Sequence, residues 1–593
     1  MKDFLKMTLA AIVGFAVVNI ISFLFISMLL GAIASFGKTQ PVMPASAILK
    51  IDLSKTRIGE QTQEENPLVS LQGGYSSVTG ILDATRAIRH AAEDPSVKFI
   101  YMKPDLATGG MAQIEELRDA ISDFRASGKA VVSYLENPTN AGYYLASASD
   151  KIYMTSHLGG MNLLSGISSQ MFFLKDILDK LGVNVQLIRH GKFKSAGEMY
   201  TRSESSDENM AQSQELIDAI WSSWTDEIAS SRNITAEGFN ALLDELKLVS
   251  PEDFKENGLV DELLSQEQLK QKLTEYFGAE NPEEVSAISL EDYITLSVTP
   301  NLKAKDKIAV IYAHGNIMEG GDDTQVDGDR FSQIIADIRK NDKIKSVVLR
   351  VNSPGGSVLA SEKIRNELML LSETKPVIAS YGDYAASGGY WISVGSNQIF
   401  TNNSTITGSI GVFSMIPDFS KTLNDIAHVN ITTVGSNKHS DIYSGFRALS
   451  SSEKNYMQAS IEDIYERFTT IVSEGRQVSR EYVDSVGQGR VWAGSDAIEL
   501  KLADRKGTIM DAVEYAAVCG SENNDGDLNK WDIVEYPKPL TTIELLLQSI
   551  GAGSSVSVFD NTPLEGVANA FENWKASESG KIYARLPYEI VIQ

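Results

Sequence analysis

Ser387 lies in the run Tyr384-Ala-Ala-Ser-Gly-Gly-Tyr-Trp391, where small residues flank a hydroxyl and the apolar segment Val377-Ile-Ala-Ser380 leads in. That composition suits a serine on a sharp strand-to-helix corner, where bulk would block a substrate. Upstream, Asn352-Ser-Pro-Gly-Gly-Ser357 follows another apolar segment, Ser346-Val-Val-Leu-Arg-Val351. Its glycine pair, Gly355-Gly356, can turn backbone N–H groups toward a developing oxyanion. A nucleophile loop and a donor loop, each directly after a buried strand, point to acyl-transfer chemistry.

A serine hydroxyl needs a base to take its proton. The six histidines (His90, His157, His190, His314, His428 and His439) show no triad spacing, no HExxH and no cluster with acids, so neither a histidine base nor a metal site is expected. Lysine serves instead when burial lowers its pKa toward neutrality. Two lysines stand at equivalent places in an internal repeat: Lys194 in Gly191-Lys-Phe-Lys-Ser-Ala196, and Lys438 in Gly435-Ser-Asn-Lys-His439.

The elements that must position these groups alternate as strands and amphipathic helices, the pattern of an α/β protein. They also occur twice. Lys98–Lys103, Thr108-Gly-Gly110, a helix from Gln113 to Ala126 and Ala130–Tyr134 parallel Lys345–Arg350, Pro354-Gly-Gly356, a helix from Ala360 to Leu371 and Pro376–Tyr381. Asn140 aligns with Ser387 at an offset of 247, and Lys194 with Lys438 at 244. The first copy therefore has asparagine where the second has its serine, and Gly109-Gly110 reads as a donor loop or as a plain tight turn. The expected division is 1–38, a membrane anchor; 46–300, the first repeat; 305–516, the second; and 517–593, a polar linker (Gly520–Asp527) with a tail holding the apolar pieces Leu545–Leu547 and Ile590–Ile592.

At 593 residues the chain exceeds one core, and its formal charge of −25 argues against nucleic acid as a partner. A single cysteine, Cys519, precludes an intrachain disulfide and a cysteine metal cluster. Lys2 and Lys6 precede an uncharged run, Met7–Gly37, long enough to span a bilayer, with the lysines on the cytoplasmic side and the body beyond Lys38 outside. Ala32-Ile-Ala34 offers the rival reading of a signal-peptide cleavage site, but the run is longer than the usual 7–15-residue signal core (roughly).

Five segments together, Arg350-Val-Asn-Ser-Pro-Gly-Gly356, Ala385-Ala-Ser-Gly-Gly-Tyr-Trp391, Thr407-Gly-Ser-Ile-Gly-Val412, Gly191–Ala196 and Gly489-Arg-Val-Trp-Ala-Gly494, resemble the long, duplicated form of the S49 serine peptidase family, the signal peptide peptidases, over nearly the whole chain. The resemblance implies tandem ClpP/crotonase-like repeats behind one transmembrane helix, no cofactor, a homo-oligomeric ring (a tetramer), and peptide substrates in the form of cleaved signal peptides. It also implies a bacterial inner-membrane location with the catalytic part on the periplasmic side. Residue by residue, Ser387 matches the nucleophile, Lys194 the general base, Gly356 and Gly388 the oxyanion donors, and Ser409 a serine that orients the lysine. Short, single-repeat members take their lysine from the repeat that holds the serine, which makes Lys438 the alternative base. Two other classes remain as rivals: a crotonase-like acyl-CoA enzyme, which needs no serine–lysine pair, and a non-catalytic membrane scaffold.

Overall fold

The computed structural model describes residues 6–8, 13–15, 17–24, 41–63, 78–321, 325–539, 544 and 581–586. The cleavage-site reading at Ala32–Ala34 and the apolar pieces Leu545–Leu547 and Ile590–Ile592 lie outside them. A helix over Lys6–Leu24 has a mean hydropathy of 2.3 and is long and apolar enough to cross a membrane.

Two main sheets repeat one plan. In the first, the strand order is Glu262–Leu264, Lys151–Thr155, Val131–Leu135, Val97–Lys103, Ala47–Asp52, Ala287–Ser289, with every pair parallel. In the second, Arg505–Lys506, Gln398–Thr401, Val377–Ala386, Ile344–Ser353, Asp306–His314 and Trp531–Tyr536 run in the same order, again parallel. Trp531–Tyr536 lies beyond residue 516, in the stretch the sequence assigns to linker and tail. It pairs with Asp306–Ile311 as an edge strand, as Ala287–Ser289 does in the first half. The polar turn before it hides this from composition.

Each half also carries a long helix, Asp207–Arg232 and Ser451–Arg476, each of 26 residues. Both start at a serine cap, Ser206 or Ser450, and both stop at a left-handed residue, Asn233 or Gln477. An aromatic on each packs behind the strand-to-helix corner: Trp224 stacks on Tyr144 at 4.3 Å between ring centres, and Phe468 meets Trp391 at 4.5 Å.

The halves share a core. One apolar cluster runs from Leu49, Ile100 and Leu117 to Val348, Ile378 and Val513. Across the seam, Arg350 is fully buried and donates to Glu60 at 2.6 Å and Glu116 at 2.7 Å, both from the first half. A third sheet crosses the seam with the order Val326–Asp327, Ile317–Met318, Gly355–Ser357, Ile582–Arg585, Val412–Asp418, Asn184–His190. Its last pair is antiparallel over the whole of Asn184–His190 and lays the first half's lysine-bearing segment against the second half.

Candidate active site

Ser387 sits where the strand Val377–Ala386 ends and the helix Gly388–Ser393 begins. Its backbone has φ 55° and ψ −112°, a region unfavourable for a side chain with a Cβ, costing on the order of 1–3 kcal/mol. The turn is held by the Ser387 amide donating to the Gly408 carbonyl at 2.8 Å. Ser409 follows with φ 50°, its amide donating to Arg490 O at 2.6 Å. Two strained serines thus face one point from adjacent strand ends. Behind them Tyr390 and Trp391 are buried core aromatics.

The amine at that point is Lys194. Its Nζ lies 2.8 Å from Ser387 Oγ, 3.0 Å from Ser409 Oγ and 3.2 Å from the Ser409 carbonyl. All three side chains have zero solvent exposure. Burial drives the Lys194 pKa well below its usual 10.5. A neutral amine has two hydrogens and one lone pair, which matches three contacts: it donates to the carbonyl and to Ser409, and accepts from the Ser387 hydroxyl. The arrangement can move a proton from Oγ to Nζ without a charged partner.

The lysine loop is fixed from both halves. Arg189 Nη1 donates to the Lys194 carbonyl at 2.6 Å and is paired at 3.3 Å with buried Glu198. Gln212, on the helix Asp207–Arg232, donates to Phe193 O at 3.1 Å and Ser195 Oγ at 3.2 Å, and accepts from the Val491 amide at 3.3 Å. Gly489 takes φ 80° against the lysine backbone, where a Cβ would come within 2.5 Å of Lys194 Cβ. That contact gives the Gly489–Gly494 motif its meaning: it receives the loop of the other half. The roles of Arg189, Glu198 and Gln212 carry no signal in the sequence, because nothing distinguishes them from ordinary polar positions on a strand or helix.

The donor loop approaches from the other side. Gly355 has φ 99°, and a Cβ on it would come within 2.6 Å of the Gly388 amide nitrogen. A Cβ on Gly388 would stand 3.0 Å from the Gly356 nitrogen. The donor loop therefore packs closely against the backbone of Gly388, the residue next to Ser387.

Lys438, the alternative base, lies elsewhere. It belongs to the exposed run His428–Ser440 and lines an open cavity with His439, Asp441, Arg447 and Glu453. His439 Nδ1 is 2.8 Å from Glu453, and Arg447 binds Asp441 and Glu453 at 2.7 Å each. No group of three or more metal-ligating side chains occurs among the described residues.

Comparison with known proteins places this geometry in a class. The model of peptidase family S49 matches residues 123–280 and 369–521, one segment in each half. The chain belongs to peptidase family S49. It is similar to Protease 4 of Haemophilus influenzae, 34% identical over 532 residues that cover 86% of this chain and 85% of the relative. Protease 4 of Salmonella typhi is 36% identical over 481 residues, covering 79% and 76%. The chloroplastic serine protease SPPA of Arabidopsis thaliana is 31% identical over 503 residues, covering 83% and 72%. The double match and the repeated sheet order agree on a duplicated form of the S49 domain, and the relatives support a protease that acts on peptides.

Proposed function

We propose that the protein is a membrane-anchored serine endopeptidase with a Ser387–Lys194 dyad that degrades cleaved signal peptides. The carrying observation is the 2.8 Å approach of Nζ to Oγ with both groups wholly buried. Neutral Lys194 takes the Ser387 proton as Oγ attacks a peptide carbonyl; the N–H groups of Gly356 and Gly388 hold the oxyanion; Ser409 keeps the amine aimed. Lys194 then protonates the leaving amine, and water hydrolyses the acyl-enzyme. The helix Lys6–Leu24 serves as the anchor, with the body on the periplasmic side of the inner membrane, and each half is read as a ClpP/crotonase-type unit.

The same reading includes a homo-oligomeric ring. By the repeat offset, the run His428–Val434 corresponds to the strand Asn184–His190, which pairs across the seam. The run is instead exposed, with Val434 94% exposed and Val429 and Ile431 also exposed. Leu158 and Met161 of the first half are exposed as well. A contact between these two unlike apolar patches is heterologous, the kind that generates a ring where its rotation closes.

A fluorophosphonate probe tests the function. Labelling at Ser387 that is lost in Ser387→Ala and Lys194→Ala supports the peptidase. Acyl-CoA binding without labelling moves the assignment to a crotonase-like enzyme, and neither activity leaves a scaffold. Light scattering on the detergent-solubilised protein, with Val434→Glu as the disrupting variant, tests the ring.

A further inference from the structure

The turn over residues 487–490 meets both the loop that carries Lys194 and the serine that aims it. On one side the Phe193 amide donates to Gln488 O at 3.0 Å, and Gly489 packs on the lysine backbone. On the other side the Gly489 amide donates to Ile410 O at 2.7 Å, and the Ser409 amide donates to Arg490 O at 2.6 Å. One short piece of backbone thus sets the lysine loop of the first half against the Ser409 segment of the second. That piece is itself unfavourable. Gln488 has φ 54°, in the left-handed region that disfavours a residue with a Cβ, and Gly489 follows at φ 80°. A residue keeps such a conformation only where its surroundings impose it.

Tyr465, on the helix Ser451–Arg476, supplies that hold. Its hydroxyl accepts from the Gln488 amide at 3.2 Å and donates to Asp484 Oδ1 at 2.7 Å. Gln488 Nε2 donates to the same carboxylate oxygen. Burial and the bond to Asp484 push the phenol pKa up, so the hydroxyl keeps the proton it donates. The ring is held from the other half: His190, the last residue of the strand Asn184–His190, stacks on it at 3.6 Å between centres and 18° between planes. His190 Nδ1 in turn meets Glu462, one turn before Tyr465. A phenol is the side chain this place needs, because it must stack, accept and donate at once.

We propose that Tyr465 is a positioning residue for the dyad: through Gln488 it fixes the turn 487–490 in the conformation that keeps both the lysine loop and Ser409 in place around the amine. The proposal rests on the reading of Lys194 as the base and goes beyond it, since Tyr465 acts through the main chain of Gln488 and Phe193 and not on the amine itself. Without the hydroxyl the Gln488 amide loses its acceptor and the turn is free to leave φ 54°. The lysine loop then spends less time in register with Ser387, and water gains access to the amine. A side chain that only packs has no such effect on the amine.

Steady-state kinetics of the detergent-solubilised full chain on a fluorogenic peptide, run from neutral to alkaline pH with fluorophosphonate labelling in parallel, test this. Tyr465→Phe keeps the ring and its stack on His190. It lowers kcat about tenfold with KM near wild type, slows labelling of Ser387 by a similar factor, and moves the acid limb of the kcat profile up by about half a pH unit or more, as a wetter Lys194 regains basicity. Tyr482→Phe is the control: it removes a comparable bond, to Leu500 O at 3.1 Å, from the neighbouring helix Arg480–Val486, and leaves the acid limb where it is. Adding Gln488→Gly to Tyr465→Phe restores about threefold of the lost kcat, because glycine takes the left-handed form without help. Asp484→Ala, which removes the acceptor that aims the phenol, moves kcat and the acid limb in the same direction and carries the test if Tyr465→Phe does not fold. A folded Tyr465→Phe that turns over and is labelled like wild type, or whose loss Tyr482→Phe matches, overturns the positioning role and leaves the dyad standing. A wild type neither labelled at Ser387 nor active on peptide overturns the dyad reading, and the positioning role with it.

Discussion

At Ser387 the backbone turns through φ 55°, while at the equivalent corner of the first half Thr139 has φ −108° and Asn140 already lies in the helix Asn140–Ala146. The strained elbow exists in one half alone. Asn140 uses its amide for structure: Oδ1 accepts from the amides of Ser165 at 3.1 Å and Gly166 at 3.0 Å, and Nδ2 donates to Gly166 O at 2.8 Å. The glycine pairs diverge likewise. Gly355-Gly356 packs against Gly388, whereas Gly110 leaves room for the Asp383 carboxylate of the other half, which accepts from the Ala112 amide at 2.9 Å. The lysines diverge in the opposite sense, Lys194 being buried at the site and Lys438 exposed. On the proposed assignment, one half holds the nucleophile and the donors, the other supplies the base, and the equivalent positions Asn140, Gly110 and Lys438 serve as packing or surface.

This contrast breaks most decisively at the dyad. Ser387→Ala and Lys194→Ala each lower kcat on a fluorogenic peptide by a factor on the order of 10⁴ or more, while Lys438→Ala stays near wild type; the reverse pattern for the two lysines would undo the division of labour. Next come the equivalent cations Arg350 and Lys103. Arg350→Ala leaves Glu60 and Glu116 buried without their partner and costs about 3–5 kcal/mol in denaturant unfolding. Lys103, paired with Glu136 at 3.1 Å and partly exposed, costs about 0–1 kcal/mol. Ser409→Ala removes one of three contacts to the amine and reduces kcat by about 10–100-fold with little change in KM; an unaltered kcat would make Ser409 a mere turn residue. Asn140→Ser sharpens the comparison from the other side. It creates no second fluorophosphonate-labelled site, since the first half's lysine is committed to Ser387, and loses about 1–3 kcal/mol of stability through the unsatisfied loop amides.

The smallest effects concern protons. Because the folded-state pKa of Lys194 lies well below 10.5, activity rises with pH as the amine loses its proton, and a flat profile from neutral to alkaline pH would argue for another base. Stability follows the same sign. Between the lowered pKa and 10.5 the unfolded chain binds the extra proton, so the burden of burying Lys194 is greatest at low pH and disappears above 10.5. Lys194→Met should therefore raise the melting temperature at neutral pH, by an increment that shrinks as pH rises.

The repeat was legible because an offset near 247 links strand, glycine pair, helix and strand, each with its own hydrophobic period. Residues 194, 387 and 409, which the structure brings together, lie in runs whose small residues and glycines are unusual enough to notice. What escaped is of another kind. Gln212 and Arg189 hold the lysine loop largely through its backbone oxygens, and a polar residue carries no mark of its partner. Trp531–Tyr536 follows a polar turn that reads as the end of a domain. Ile582–Arg585 is a short strand whose neighbours, Gly355–Ser357 and Val412–Asp418, are remote in sequence, so no local pattern announces it. Symmetry kept Lys438 open as the alternative base: equal spacing suggests equal use, whereas burial, which differs between the halves, favours Lys194.

The separation of 193 residues between Lys194 and Ser387 has a consequence during synthesis. Ribosomes add roughly 5–20 residues per second, so the amine emerges roughly 10–40 seconds before its alcohol partner. On the proposed dyad, neither piece alone holds both reacting groups, and a chain interrupted anywhere in that interval lacks the nucleophile. A dyad so divided becomes competent only after the late half has folded onto the early one, a delay that follows from the order of the two groups along the chain.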